Sequence, residues 1–205
     1  MQIGIIGAGN MARALVRGWN RPVLVADPIS ERARALAAEV EGEALSTNAQ
    51  VAQRADIVVL CHKPAQLQLV AGEVAPHAKA IASILAITPL AALHEAYPDR
   101  PVYRFIPSLP VEVRQGAIVQ ATPDERYALD APVSELFSEL GTLVTLPDAL
   151  VDVAMGLMSC APAYVALVAE AQIDAGVRHG IPAAQSAELV VRTLASICAS
   201  ATSAT

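Results

Sequence analysis

Apolar positions along the first 150 residues come in short, β-branched blocks. The blocks are Ile3 to Ile6, Val23 to Ala26, Ile57 to Cys61, Ala80 to Ile87 and Val102 to Ile106, with Ala117 to Ala121 and Leu143 to Leu146 following. Runs this short and this continuously apolar suit strands buried on both faces. Between them, Met11 to Trp19, Ser30 to Val40, Asn48 to Arg54 and Pro64 to Val74 have the length and composition of crossover helices. Ser30 stands as a cap for the second of these, with Glu31 in its first turn. The alternation predicts a doubly wound α/β sheet.

Beyond about residue 147 the pattern changes to Ala- and Leu-rich helical periodicity with Pro and Gly as punctuation. Pro147 and Pro162 suit first turns, Gly180 a helix end and Pro182 the next start, which predicts helices over 147–158, 162–179 and 183–200. These helices are apolar on more than one face, through Val165, Leu167, Val168 and Ile173 and then Leu189, Val190, Val191 and Ile197. Such faces call for a partner chain. The resulting division is a first domain over 1–148 and an all-helical domain over 149–205. The end, Ser196 to Thr205, reads as frayed or cut short.

Composition narrows the function. Of 205 residues 54% are hydrophobic, and the net charge is −6. The 14 basic residues are scattered and include only two lysines, Lys63 and Lys79, so a nucleic-acid partner is not expected. The most membrane-like stretch, Val153 to Ala169, carries Gly156, Ser159 and Pro162 and falls short of the roughly 20 apolar residues of a span. It reads as a buried helix junction rather than a membrane segment. Cys61, Cys160 and Cys198 have no metal-site spacing, no metal is expected, and a reducing cytoplasm is the simplest compartment. His77, His94 and His179 stand alone, and Asp124-Glu125-Arg126 reads as the polar face of a helix.

The chemistry concentrates at Gly7-Ala8-Gly9-Asn10-Met11-Ala12, directly after the first strand and at the start of the first helix. This fits the dinucleotide fingerprint: Gly7 for a tight turn, Gly9 for backbone approach to a pyrophosphate, and Ala12 for close helix packing. Asp27, twenty residues beyond Gly7, either accepts from the adenosine ribose hydroxyls, favouring NAD, or is a turn residue before Pro28. Ser30, Arg32 and Arg34 nearby could instead admit the 2′-phosphate of NADP, so the cofactor is read as NADP or NAD. His62-Lys63-Pro64 follows the Ile57 run at the strand edge where such sheets bind ligands. Lys63 could reach a cofactor ribose, and His62 is either a proton shuttle or a solvated loop residue.

Further pieces fall in order along nearly the whole chain: Asn48, Asp56 to Leu60, Ser83-Ile84 with Ala86, Arg104 to Pro107, Ala161 to Tyr164, and Gly176 to Pro182 with Thr193. Together with the Gly-Ala-Gly-Asn-Met turn, they make the chain resemble the pyrroline-5-carboxylate reductase family, which reduces a cyclic imine to proline with NAD(P)H. The resemblance implies a Rossmann-like α/β domain and a C-terminal helical oligomerisation domain forming a homodimer or higher oligomer. It implies that Gly7, Ala8, Gly9, Asn10 and Met11 hold the pyrophosphate. Asn48 would lie on the adenosine side, and Lys63, Pro64 and Ala86 at the nicotinamide end. Ser159, Tyr164 and Thr193 are the substrate-side candidates, with His62 as a proton donor.

The chain departs from the family at three places. It reads Ile106-Pro107-Ser108-Leu109-Pro110 for Met-Pro-Asn-Thr-Pro, and Ser159-Cys160-Ala161-Pro162 for Gly-Ser-Gly-Pro, and Ile87 stands where a glycine is usual. Each glycine lost adds bulk where backbone and ligand approach closely. The family's glycine-rich substrate loop is expected beyond Thr205, so the sequence reads as either shortened or divergent. A non-catalytic or altered-substrate NAD(P)-binding relative is the alternative. A β-hydroxyacid dehydrogenase would want a lysine on the helical domain, and none follows Lys79.

Overall fold

The structure, a computed structural model, describes residues 1–123 and 131–202. The Asp124-Glu125-Arg126 motif lies outside the described residues. The chain forms two compact units, Met1–Ser159 and Cys160–Thr205.

The first unit is built on an eight-stranded sheet: β1 (Ile3–Ile6), β2 (Val23–Ala26), β3 (Glu43–Ala44), β4 (Ile57–Leu60), β5 (Ile81–Ser83), β6 (Val102–Pro107), β7 (Gly116–Ala121) and β8 (Gly141–Leu146). Their order is β3-β2-β1-β4-β5-β6-β7-β8, all parallel except the β6–β7 pair. The chain leaves β1 toward β2 on one side and returns to β4 on the other, which makes the carboxyl end of β1 the switch point of the sheet. Helices α1 (Asn10–Trp19), α2 (Ser30–Ala38), α3 (Asn48–Arg54), α4 (Leu67–Val74), α5 (Leu90–Ala96) and α6 (Ala131–Ser138) make crossovers, and α7 (Asp148–Met158) closes the unit.

Strict alternation along the strands fills both faces. Ile3, Ile5, Val25 and Val59 join Leu15, Trp19, Phe105 and Phe137 on one side. On the other, Ile6, Leu24, Val58 and Leu60 meet Val51, Val70 and Tyr97. Trp19 is tied down twice, by an edge-on contact with Phe137 and by its Nε1–H donating to the Leu136 carbonyl at 2.8 Å. Gly4 in β1 lets α3 close in, since a Cβ there would fall 2.5 Å from Val51 Cγ1.

Several expectations need correction. Strand β5 ends at Ser83, because the backbone turns and Ile87 takes a left-handed conformation (φ 53°). The α2 cap position is Ile29, not Ser30, whose hydroxyl accepts from Arg34. Pro147 sits at the cap position of α7 rather than inside its first turn. The compact first unit includes α7, because Val151 and Ala154 pack on Ile106 of β6 and Val119 and Ala121 of β7.

The second unit is a hairpin of α8 (Ala161–Arg178) and α9 (Ala183–Thr202). Pro162 lies in the first turn of α8, and Gly180 (φ 90°) ends the helix as its spacing predicts. Helix α9 continues to Thr202, through residues read as frayed. The hairpin is fastened where buried Ser186 donates to the Ile173 carbonyl at 2.9 Å, beside Gly176. The stretch expected to be buried is instead exposed, at Val153 and Leu157 in α7 and at Tyr164, Val165, Leu167 and Val168 in α8. The stretch Asp148–Arg178 is apolar enough to match a membrane span by length and composition, but it is two helices parted at Ser159-Cys160.

Candidate functional site

The turn after β1 is shaped by two glycines with different reasons. Gly7 has φ 97°, and a Cβ on it would sit 2.8 Å from the Cys61 carbonyl oxygen, so conformation and packing both demand glycine. Gly9 has an ordinary φ of −79°, and a Cβ there would meet nothing within 4 Å. Neither backbone nor packing explains that glycine. The open space in front of it does, because a ligand can come against bare backbone.

Gly9 is the cap residue of α1, with no side chain capping the helix and no acidic residue in its first turn. The first helical hydrogen bond runs from Arg13 N to Gly9 O at 3.0 Å, leaving the N–H groups before it without helical partners. Free N–H groups and the positive end of a helix dipole are what an anion would meet at such a position. The turn is braced by Asp27: its Oδ2 accepts from Ala8 N at 2.7 Å and its Oδ1 from Ile29 N at 2.8 Å. The carboxylate thus has the turn role weighed for it, with lone pairs left over.

A cavity of about 520 Å³ opens on this turn, lined by Gly7, Gly9, Asn10, Met11, Asp27 and Arg32 and, opposite them, Asn48, His62, Lys63 and Glu73. Ala8 is buried, with its amide given to Asp27. A second cavity of about 290 Å³ is lined by Pro64, Ile84, Ala86, Pro107, Met155 and Ser159 and shares Met11, Cys61 and His62 with the first. Of the sequence-predicted residues, nine therefore line one wall or the other besides His62 and Ser159: Gly7, Gly9, Asn10, Met11, Asp27, Asn48, Lys63, Pro64 and Ala86. Ser159 donates to the Pro107 carbonyl at 3.1 Å. Tyr164 and Thr193 belong to the second unit, where both are exposed.

The polar groups of the larger cavity are held in place. Thr47 caps α3 by accepting from Gln50 N, which sets Asn48 at the helix start, and Asn48 Nδ2 donates to Glu73 Oε2 of α4 at 2.8 Å. Glu73 was not legible in the sequence, since its place follows from α3 lying beside α4. Arg34 is occupied by Ser30 and Glu31, so Arg32 is the arginine of this pair that faces the cavity. Burial pushes the Cys61 thiol up and the His62 imidazole down, keeping both neutral at pH 7. Ser108, at the position of the family's asparagine, is buried and turns its Oγ to accept from Ala117 N at 2.9 Å.

Two family profiles match the chain, "NADP oxidoreductase coenzyme F420-dependent" over residues 2–87 and "Pyrroline-5-carboxylate reductase dimerisation" over residues 148–204. The pyrroline-5-carboxylate reductase of Thermus thermophilus is 34% identical over 204 residues, covering 95% of this chain and 77% of the relative. That of Pseudomonas aeruginosa is 33% identical, covering 94% and 75%. Among solved structures, the 1-pyrroline-5-carboxylate reductase of Streptococcus pyogenes superposes with a TM-score of 0.88 at 27% identity, over 98% of this chain and 79% of that one. The Plasmodium falciparum pyrroline carboxylate reductase with NADP bound shares the fold, with a TM-score of 0.85 at 24% identity over 96% and 76%. With the glycine turn, the switch-point cavity and the helical hairpin all in the family's order, this chain belongs to the pyrroline-5-carboxylate reductase family.

Proposed function

We propose that the chain reduces a small cyclic imine, 1-pyrroline-5-carboxylate, to proline with NADPH or NADH, as a step of proline biosynthesis. The observation that carries this reading is Gly9, a glycine explained by neither backbone nor packing, on the wall of a cavity of about 520 Å³ that shares Met11, Cys61 and His62 with a second, more apolar one. A reduced nicotinamide supplies hydride to the imine carbon. The protein's own part is placement: Gly7, Gly9, Asn10 and Met11 present backbone to the pyrophosphate, and Asp27 and Asn48 meet the adenosine ribose. Lys63, Pro64 and Ala86 frame the nicotinamide end. Arg32 is the cation available to a 2′-phosphate.

The exposed apolar helices and the dimerisation profile support a homo-oligomer, with a homodimer as its smallest form. The free thiols of Cys61, Cys160 and Cys198 suit a reducing cytoplasm. A second reading, the same cofactor with an altered imine, is favoured by Ile87 and Ser108, which stand where the family has glycine and asparagine, the one in a left-handed conformation and the other with its hydroxyl turned to Ala117 N.

Loss of NADPH absorbance on adding 1-pyrroline-5-carboxylate tests the first reading. Turnover is expected, and Gly9→Asp should abolish cofactor binding while leaving the circular dichroism spectrum unchanged. Cofactor binding with no turnover of this imine would hand the site to the second reading, and a wild-type protein binding neither NADPH nor NADH would defeat both.

A further inference from the structure

His62 sits on the wall common to the two cavities. Its Nδ1 lies 2.9 Å from the Lys63 carbonyl oxygen, which also accepts from Gln66 N at 2.9 Å. A carbonyl oxygen cannot donate, so the proton of the neutral ring must be on Nδ1. The other nitrogen then carries a lone pair. Nε2 is shielded from solvent and has no hydrogen-bond partner within the protein. An acceptor held this way lacks the hydrogen bond that nearly all buried polar groups have.

We infer that His62 is a cofactor-positioning residue whose Nε2 accepts a hydrogen bond from a donor on the nicotinamide half of the bound dinucleotide, a ribose hydroxyl or the carboxamide N–H. The inference rests on the dinucleotide reading of the cavity. Tautomer logic separates His62 from the phosphate-binding groups, because a pyrophosphate only accepts and a neutral Nε2 has nothing to donate. It also replaces the proton-donor role considered for His62: with Nδ1–H committed to Lys63, the neutral ring has no proton to give at Nε2. The other ionisable groups along these walls are Cys61 and Lys63 beside it, and Asp27, Arg32 and Glu73 in the larger cavity.

Binding titrations of the full chain with NADPH, ADP-ribose and ADP test this, ADP lacking the second ribose and ADP-ribose lacking the nicotinamide. His62→Leu should weaken NADPH about tenfold, the effect of removing one hydrogen bond, and leave ADP unchanged. His62→Gln, which keeps an acceptor near the Nε2 position, should bind NADPH within about threefold of wild type. A loss shared by NADPH and ADP-ribose names the ribose hydroxyl as donor, and a loss for NADPH alone names the carboxamide. Wild-type affinity should fall on acidification, as protonation turns the acceptor into a donor, and His62→Gln should flatten that fall and so set His62 apart from the other ionisable groups. Unchanged NADPH affinity in His62→Leu, equal losses for ADP and NADPH, or wild-type affinity rising as pH falls would each overturn the inference. A wild-type protein that binds none of the three ligands would instead overturn the dinucleotide reading itself.

Discussion

At the scale of single residues, Ile87 is the β-branched one among the described non-glycine residues with positive φ. A β-branched side chain at φ 53° crowds its own backbone, at a cost of roughly 1–3 kcal/mol. The residue is 75% exposed, so it recovers little by burial. Its backbone is held from outside: Ile87 N donates to Asp152 at 3.3 Å, and Leu90 N to Asp148 at 3.0 Å. Glycine accepts this conformation freely, although it adds entropy to the unfolded chain. Ile87→Gly should therefore stabilise the protein by about 1 kcal/mol, seen as a higher urea midpoint with unchanged slope. An unchanged or lower midpoint would mean that the isoleucine side chain contributes contacts which outweigh its strain.

At the scale of elements, the two aspartates that hold Ile87 and Leu90 are themselves organised by Arg104 of β6. Its guanidinium is fully buried and pairs with Asp148 at 2.8 Å and Asp152 at 2.5 Å, joining strand β6, helix α7 and the loop before α5. Breaking a buried ion pair by deleting one partner is expensive, because the remaining charges lose their compensation. Both carboxylates here keep some solvent, which puts the cost at the low end of that range. Arg104→Leu should destabilise the first unit by about 3 kcal/mol in urea unfolding. It should also loosen Ser159 and Met155, which α7 brings to the smaller cavity. Replacing the two aspartates by asparagine should cost less than the arginine change, since amides still accept from the guanidinium.

At the scale of the whole molecule, the helical hairpin presents more apolar surface than a lone chain normally leaves in water. Helix α8 has no buried residue, and Leu167 is 68% exposed. A matching surface on another copy is the simplest cover, since oligomers of one chain close by symmetry. Sedimentation at micromolar concentration should show a dimer or larger species. A Leu167→Asp, Val168→Asp pair should shift it toward monomer while the first unit still binds NADPH. A wild-type protein that sediments as a monomer would remove the oligomer from the proposal.

The strands β1 and β2, the helix α3 and the glycine turn were legible in the sequence at their observed bounds, because buried β-branched runs, helical periodicity and turn glycines are local patterns. The two residues of β3 were not, since Glu43 and Ala44 carry no strand signal and pair only because Leu24 and Val25 lie alongside. The glycine-turn wall of the larger cavity was legible for the same reason as its strand, as Gly7 to Ala12 is a contiguous stretch. The rest came from tertiary structure: Glu73 reaching Asn48, the tautomer of His62 and the triad of Arg104, Asp148 and Asp152 beside Ile87. Each depends on which distant atoms are brought within a few ångströms. Local periodicity decides what a segment becomes, and only packing decides what it touches.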